Sequence, residues 1–250
     1  MRGFYGVPLV AFDGTTEGLS ADRGVLVLAG LPDGRPTRTR FVALDARNLR
    51  IRRSFSLRGR FAFDALSPEG ETLYLVQHLS AHAPRYVVRA YDIRSGRLFP
   101  GVIRDRRERD RTMHGYPLAR ATSADGRWAY TLYAQPEVHA FVHALDTVAG
   151  RARCIDLPGG RRSLAAVELK LSDDGRELVA LSDAGERVAV VARSTLLLRT
   201  GSETSAPSAA PARGPEPPGS NGGEMWAPVG AGAGVLLAAG LLARRRTRRR

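Results

Sequence analysis

The chain has 250 residues, 43% of them hydrophobic, and a net charge of +13. That length holds one large all-β domain or two small ones, and the single cysteine excludes an intrachain disulfide. Six of the charges are terminal arginines, without which the balance is +7, and Lys170 is the only lysine, so charge alone does not make the chain a nucleic-acid binder.

The chain opens on MRGFYGVPLV, which passes straight into strand-like sequence without the apolar stretch and cleavage site of a secretory leader. Four units follow. The first reads GVPLVAFDG, VLVLAG, RFVALD and LRIRRSFSL; the second reads RFAFDALS, ETLYLVQ, RYVVRAYD and GRLFPGVI. The third reads YPLARATS, RWAYTLYA, AFVHALD and RARCIDL; the fourth reads LAAVELKLS, RELVALS, ERVAVVAR and TLLLRTG. Alternation within RARCIDL makes Cys154 a buried strand residue rather than a reactive one.

Two signals repeat in phase. LSADRGVLVL, LSPEGETLYL, TSADGRWAYT and LSDDGRELVA carry Ser20, Ser67, Ser123 and Ser172 at spacings of 47, 56 and 49. Asp-Gly here predicts a hairpin turn, because both residues tolerate positive φ. FVALDARNLR, VRAYDIRSGR and VHALDTVAGR carry Asp45, Asp92 and Asp146, while VAVVARSTLL has no aspartate in the fourth place. An aspartate so placed accepts backbone N–H groups of its own turn and is structural. Serines that recur with the repeat likewise read as turn residues, not nucleophiles.

A unit of about 50 residues with four short strands is a propeller blade. The fold class is therefore all-β: a β-propeller of four-stranded blades, about four of them over residues 1–200, plus one C-terminal transmembrane helix. Four blades are few, and the leader is missing at the same end. Together these predict a true start upstream, with a signal peptide and further blades; the alternatives are a four-bladed disc or an array completed by a second chain.

Between the second and third units runs IRDRRERDRTMHGYP, residues 103–117, the longest charged insertion. Its mixed signs read first as a solvated loop. Projecting from one face, it is also the best contact surface, with Arg106, Arg107, Arg109, Arg111 and His114 as the contacting side chains. His78 and His82 fall at a strand end and loop, where a four-residue spacing does not build a metal site. His139 and His143 share a strand face but stand about 13 Å apart, too far for one ion. No HEXXH, GxSxG, P-loop or dinucleotide motif occurs. No catalytic, metal or cofactor-binding residue is assigned, and no cofactor is expected.

Residues 201–224 carry five prolines with Ser, Ala and Gly and no apolar period; they read as a disordered or extended stalk. Residues 225–243, MWAPVGAGAGVLLAAGLLA, carry no charge. As a helix at about 1.5 Å per residue they span roughly 28 Å, close to the roughly 30 Å of a bilayer core. Trp226 marks one membrane flank and Arg244, Arg245 and Arg246 the other, within a basic tail at 244–250. Positive charge marks the cytoplasmic side, so the C-terminus is inside and the N-terminal domain outside a single-pass cell-membrane protein. The bilayer is then a partner, and nucleic acid is not expected.

LSPEGETLYL with VVRAYDIRSGRL, and TSADGRWAYTL with FVHALDTVAGRA, resemble the bacterial YVTN-type β-propellers, relatives of the WD40-like and TolB-like propellers. Those repeats pair an S-P-D-G turn with a strand ending D-x-x-T-G. Glu69, Ala21, Ala124 and the displaced Gly24 depart from the pattern. The resemblance covers roughly residues 5 to 199 and implies an exported or surface propeller. It carries no catalytic residue onto this chain. The expected function is a non-catalytic binding or interaction module for protein or glycan outside the cytoplasm. A propeller hydrolase or lyase with its site at the central channel is the alternative, marked by carboxylates or histidines converging within about 5 Å. A structural adaptor of a membrane complex is the third reading.

Overall fold

Alternating side chains between turn residues fold into strand after strand in the computed structural model, which describes residues 6–7, 9–10, 16–30, 38–80, 84–108, 112–134, 140–158, 168–182 and 184–199. The chain divides into two units, Met1–Ser202 and Glu203–Arg250. The predicted stalk, span and tail, with Trp226, Arg244, Arg245 and Arg246, lie outside the described residues. Among the described residues no helix is long and apolar enough to cross a membrane.

The first blade holds β1 (Gly6–Val7), then a small hairpin of β2 (Leu9–Val10) and β3 (Thr16–Glu17), then β4 (Val25–Gly30), β5 (Arg38–Asp45) and β6 (Ile51–Arg58). Its sheet order is β1-β4-β5-β6, all antiparallel. The second blade runs β7 (Arg60–Leu66), β8 (Thr72–His78), β9 (Arg85–Asp92) and β10 (Arg97–Leu98), and β11 (Met113–His114) adds to β9. The third runs β12 (Tyr116–Thr122), β13 (Trp128–Ala134), β14 (Ala140–Asp146) and β15 (Arg151–Asp156). The fourth runs β16 (Glu168–Leu171), β17 (Glu177–Leu181), β18 (Arg187–Ala192) and β19 (Leu197–Leu198). The described body is thus all-β, built of successive four-stranded antiparallel meanders in the manner of propeller blades.

The repeated serine closes the first turn of each blade. Its hydroxyl oxygen accepts backbone N–H groups four or five residues on: Gly24 and Val25 for Ser20, Glu71 and Thr72 for Ser67, Trp128 for Ser123, Glu177 for Ser172. Ser20, Ser123 and Ser172 donate in turn to Asp22, Asp125 and Asp174. Only the residue after that acidic position is left-handed, namely Gly70, Gly126 and Gly175. The expected pair of positive φ angles is therefore a single one, because the aspartate serves as acceptor. In the first blade Arg23, at φ 56°, takes the left-handed place and Gly24 follows it.

The second turn is also regular. Its fifth residue donates N–H to the carbonyl of the first and is left-handed: Leu49 to Asp45, Gly96 to Asp92, Gly150 to Asp146, Leu196 to Ala192. Two blades fill that place with leucine, where a Cβ crowds the backbone.

Strand alternation sends successive side chains to opposite neighbours. Leu73 and Leu75 of β8 pack on Val25 and Val27 of the first blade. Tyr74 and Val76 pack the other way, with Tyr133 and Phe141 of the third. Tyr130 and Leu132 of β13 meet Leu169, Leu178 and Val191 of the fourth. β14 is buried at all seven positions, since both its faces are covered. Polar links cross the same gaps: the Tyr74 hydroxyl donates to the Thr147 carbonyl at 2.8 Å, and Arg193 Nε donates to the Tyr130 hydroxyl at 3.0 Å.

Candidate functional site

The described ends of the charged insertion are held on the second blade. Ile103 bridges to Val88, and Met113 and His114 pair with Tyr86 and Arg85, so both ends join the second blade. Between them Asp105, 1% exposed, accepts from the Cys154 backbone N–H and from Arg107, which also donates to the Cys154 carbonyl. A buried carboxylate needs donors, and these come from its own loop and from the third blade. Burial works to raise the Asp105 carboxyl, but the Arg107 and Cys154 bonds outweigh it and hold it at about 2. Arg106 is exposed, His114 is half-buried in β11, and Arg109 and Arg111 lie outside the described residues. Cys154 is half-buried, its thiol pushed up to about 12 by burial and by Asp105, which keeps it unreactive at neutral pH.

Asp45, Asp92 and Asp146 sit at the turns that end β5, β9 and β14. Each accepts N–H groups of its own turn: Arg47 for Asp45, Ser95 for Asp92, Val148 and Ala149 for Asp146. Asp45 also pairs with Arg52, and Asp146 with Arg127.

A charged cluster that the sequence did not single out joins the first strands of the second and third blades to the β2–β3 hairpin. Arg120 of β12 donates to Glu17 at 2.7 Å, and its other terminal nitrogen stands 3.7 Å from Asp64 of β7. It also donates to the carbonyls of Phe63 and Asp64. Those carbonyls lie where the β7–β8 register slips between Phe63 and Ala65; the bulge takes Asp64 out of the ladder. Burial works to lower the Arg120 guanidinium, and the Glu17 and Asp64 carboxylates outweigh it and hold it above its ordinary value. One arginine thus ties three blades together. Gly126 marks the same convergence, since a Cβ there would stand 2.7 Å from Ala21 of the first blade.

Beside this cluster a cleft of about 180 Å³ opens between the second and third blades. Tyr86 and Tyr133 close it below, with Arg120. The two rings stack at 4.8 Å, and both are at most 2% exposed. Neither hydroxyl, nor Asp64 Oδ2, has a partner at good hydrogen-bond geometry, and the two hydroxyls lie near each other and near Arg120. Burial raises both tyrosine hydroxyls above their ordinary value. His143 stands edge-on to Tyr133 at 6.5 Å, fully buried, with neither ring nitrogen partnered, and burial lowers its imidazole. Ala62, Val76, Pro84 and Pro117 form the apolar walls. Arg60, His78, Ser80 and Tyr116 complete the lining, with Tyr116 51% exposed.

His82 and His139 lie outside the described residues. Among the described residues no three His, Cys, Asp or Glu side chains gather as a metal site would require. The cleft tyrosines and Arg120 each sit at an alternating strand position, and only the polarity of RATS and RYVV distinguishes those strands in the sequence. Nothing there says that the second and third blades face each other through these residues.

No family model matches the sequence, and no curated protein matches it. Among solved structures the chain is similar to hydrazine synthase from Kuenenia stuttgartiensis, at 22% identity and TM-score 0.47 over 72% of this chain and 46% of that one. It is also similar to TolB from Acinetobacter baumannii, at 15% identity and TM-score 0.41 over 74% of this chain and 42% of that one. A hypothetical selenium-binding protein from Sulfolobus tokodaii matches at 14% identity and TM-score 0.45, over 72% of this chain and 52% of that one. The chain spans about half the length, or less, of these structures.

Proposed function

We propose that the chain is a membrane-anchored, extracytoplasmic propeller module that binds a protein or glycan partner and performs no chemistry on it. The observation that supports binding is the cleft between the second and third blades: a concave, mainly apolar pocket with a few converging polar groups, the usual form of a ligand site. The anchor rests on the uncharged residues 225–243 and the arginines after them.

An enzymatic reading draws on Glu17 and Asp64, two carboxylates that meet at one guanidinium. Against it, both are engaged by Arg120, and Asp64 is only 3% exposed. A general acid or base must reach the proton it moves, and this pair is spent on joining blades.

Two measurements test the reading. Cells expressing the full chain should retain it in carbonate-washed membranes, and protease added to intact spheroplasts should remove the propeller and leave a short C-terminal fragment. Recovery in the soluble fraction, or protection of the propeller until lysis, contradicts the anchor or its orientation. The purified chain should not turn over nitrophenyl esters or glycosides; turnover abolished by Asp64→Asn would replace binding by catalysis.

A further inference from the structure

We infer that the cleft between the second and third blades is a saccharide subsite that takes one pyranose ring, with Tyr116 as its platform and Tyr86 and Tyr133 as its floor. This deepens the binding reading above and rests on it.

Size limits the ligand first. At about 180 Å³ the cleft exceeds the ~150 Å³ cavity that holds a benzene and falls short of the ~300 Å³ at which drug-sized pockets begin. One six-membered ring fills it.

Charge decides next. Arg120 is the only ion at the floor, and its terminal nitrogens already engage Glu17, Asp64 and two carbonyls. Arg60 is exposed at the rim, where solvent screens it. Burial, and then Arg60, lower the His78 imidazole, so at neutral pH it both donates and accepts. The lining therefore suits a neutral ligand better than an anion.

Hydroxyl chemistry separates a sugar from an apolar ring. Buried tyrosine hydroxyls ordinarily find a partner. Here two adjacent ones find no partner at good hydrogen-bond geometry, each having only the other and Arg120 nearby, and both belong to side chains that line the cleft. A ring bearing hydroxyls meets them with groups that donate and accept; a benzene-like ring does not. The pyranose's C–H face finds its surface in Tyr116, half exposed at the mouth, and in Pro84 and Pro117.

The test is saturation-transfer NMR on the full chain, held in a detergent without a sugar headgroup. The probes are methyl glycosides of glucose, galactose, mannose and N-acetylglucosamine, glucuronate as an acidic ring, and benzoate and inorganic phosphate as non-sugars. At least one neutral pyranoside should receive saturation on its ring protons. Tyr133→Phe and Tyr86→Phe should each weaken it by about fivefold, the worth of one hydrogen bond. Tyr116→Ala, at a half-exposed position, should weaken it by about tenfold or more. Failure of every pyranoside, or transfer that ignores all three variants, overturns the inference. Benzoate or phosphate binding with the same Tyr133 dependence overturns it too, while leaving a binding module in place. Turnover of a glycoside would end both readings.

Discussion

The two faces of the third blade are built on different chemistry. Toward the fourth blade it presents Leu132, Val142, Ala144 and Ile155 against Leu169, Leu178 and Val191, and the one tyrosine there, Tyr130, has its hydroxyl bonded by Arg193. Toward the second blade it presents Tyr133, Phe141 and His143 against Tyr74 and Tyr86. On that side Asp64 Oδ2, both nitrogens of His143 and the hydroxyls of Tyr86 and Tyr133 are buried without a partner at good hydrogen-bond geometry; among the described residues the only other such atom is Arg53 Nε. Buried polar groups left unbonded cost stability. One interface is thus made for cohesion, and the other gives up some cohesion beside a cleft, which is the usual mark of a site.

The largest effect expected is from Arg120→Ala. It removes the cation shared by Glu17 and Asp64 and leaves buried charge unpaired, so chemical denaturation should report a loss of about 3–5 kcal/mol. A loss below 1 kcal/mol would show that the polar interface does not depend on this cluster.

Leu132 and Tyr133 are neighbours on β13 that face opposite ways, and they give the sharpest contrast. Leu132→Ala on the aliphatic side should cost about 3 kcal/mol. Tyr133→Phe on the polar side removes an unbonded hydroxyl and keeps the ring, so it should leave stability unchanged or raise it by about 1 kcal/mol.

His143 tests the same side through pH. Burial lowers its imidazole in the folded state, so the unfolded chain takes up a proton first as pH falls. Stability present above the unfolded value of about 6.5 is then lost as pH falls toward the folded one, at up to about 1.4 kcal/mol per unit. His143→Leu should flatten the stability profile just below about pH 6.5; an unchanged slope there would exonerate the histidine. Asp105, held at about 2, loses its contribution only below the ordinary carboxyl value of 3.8, so it does not contribute to the slope that begins at about pH 6.5.

The smallest effects calibrate the rest. Leu49 and Leu196 hold left-handed φ where Gly96 and Gly150 stand in the other blades. Leu49→Gly, at an exposed position, should raise the unfolding free energy by roughly 0.5–1 kcal/mol, whereas Gly150→Ala should lower it by a similar amount. Equal and opposite shifts would confirm that the turn, not the packing around it, sets the preference.

What the sequence makes legible is whatever is local. Ser67 with Gly70, or Asp146 with Gly150, forms its turn from residues within five positions, so the repeat shows each blade and its strands without reference to its neighbours. The Arg23 and Leu196 substitutions keep the turn and alter only its letters. The candidate site is the opposite case. Arg120 meets Glu17 across 103 residues, and Tyr86 meets Tyr133 across the gap between two sheets. No spacing rule links such positions, because alternation says that a side chain is buried but not against what. The insertion shows the same limit: its run of arginines reads as a solvated loop, while the buried carboxylate of Asp105 ties its first residues to the third blade.

The central claim is that the cleft tyrosines are kept for something other than folding. A denaturation curve of the Tyr86→Phe/Tyr133→Phe double variant, measured beside Leu132→Ala, tests it most directly. The account predicts a midpoint at or above that of the unmodified chain for the double variant and a clear drop for Leu132→Ala. A drop of about 2 kcal/mol or more for the double variant would mean that both hydroxyls are bonded within the fold, and the contrast between the two interfaces would be gone.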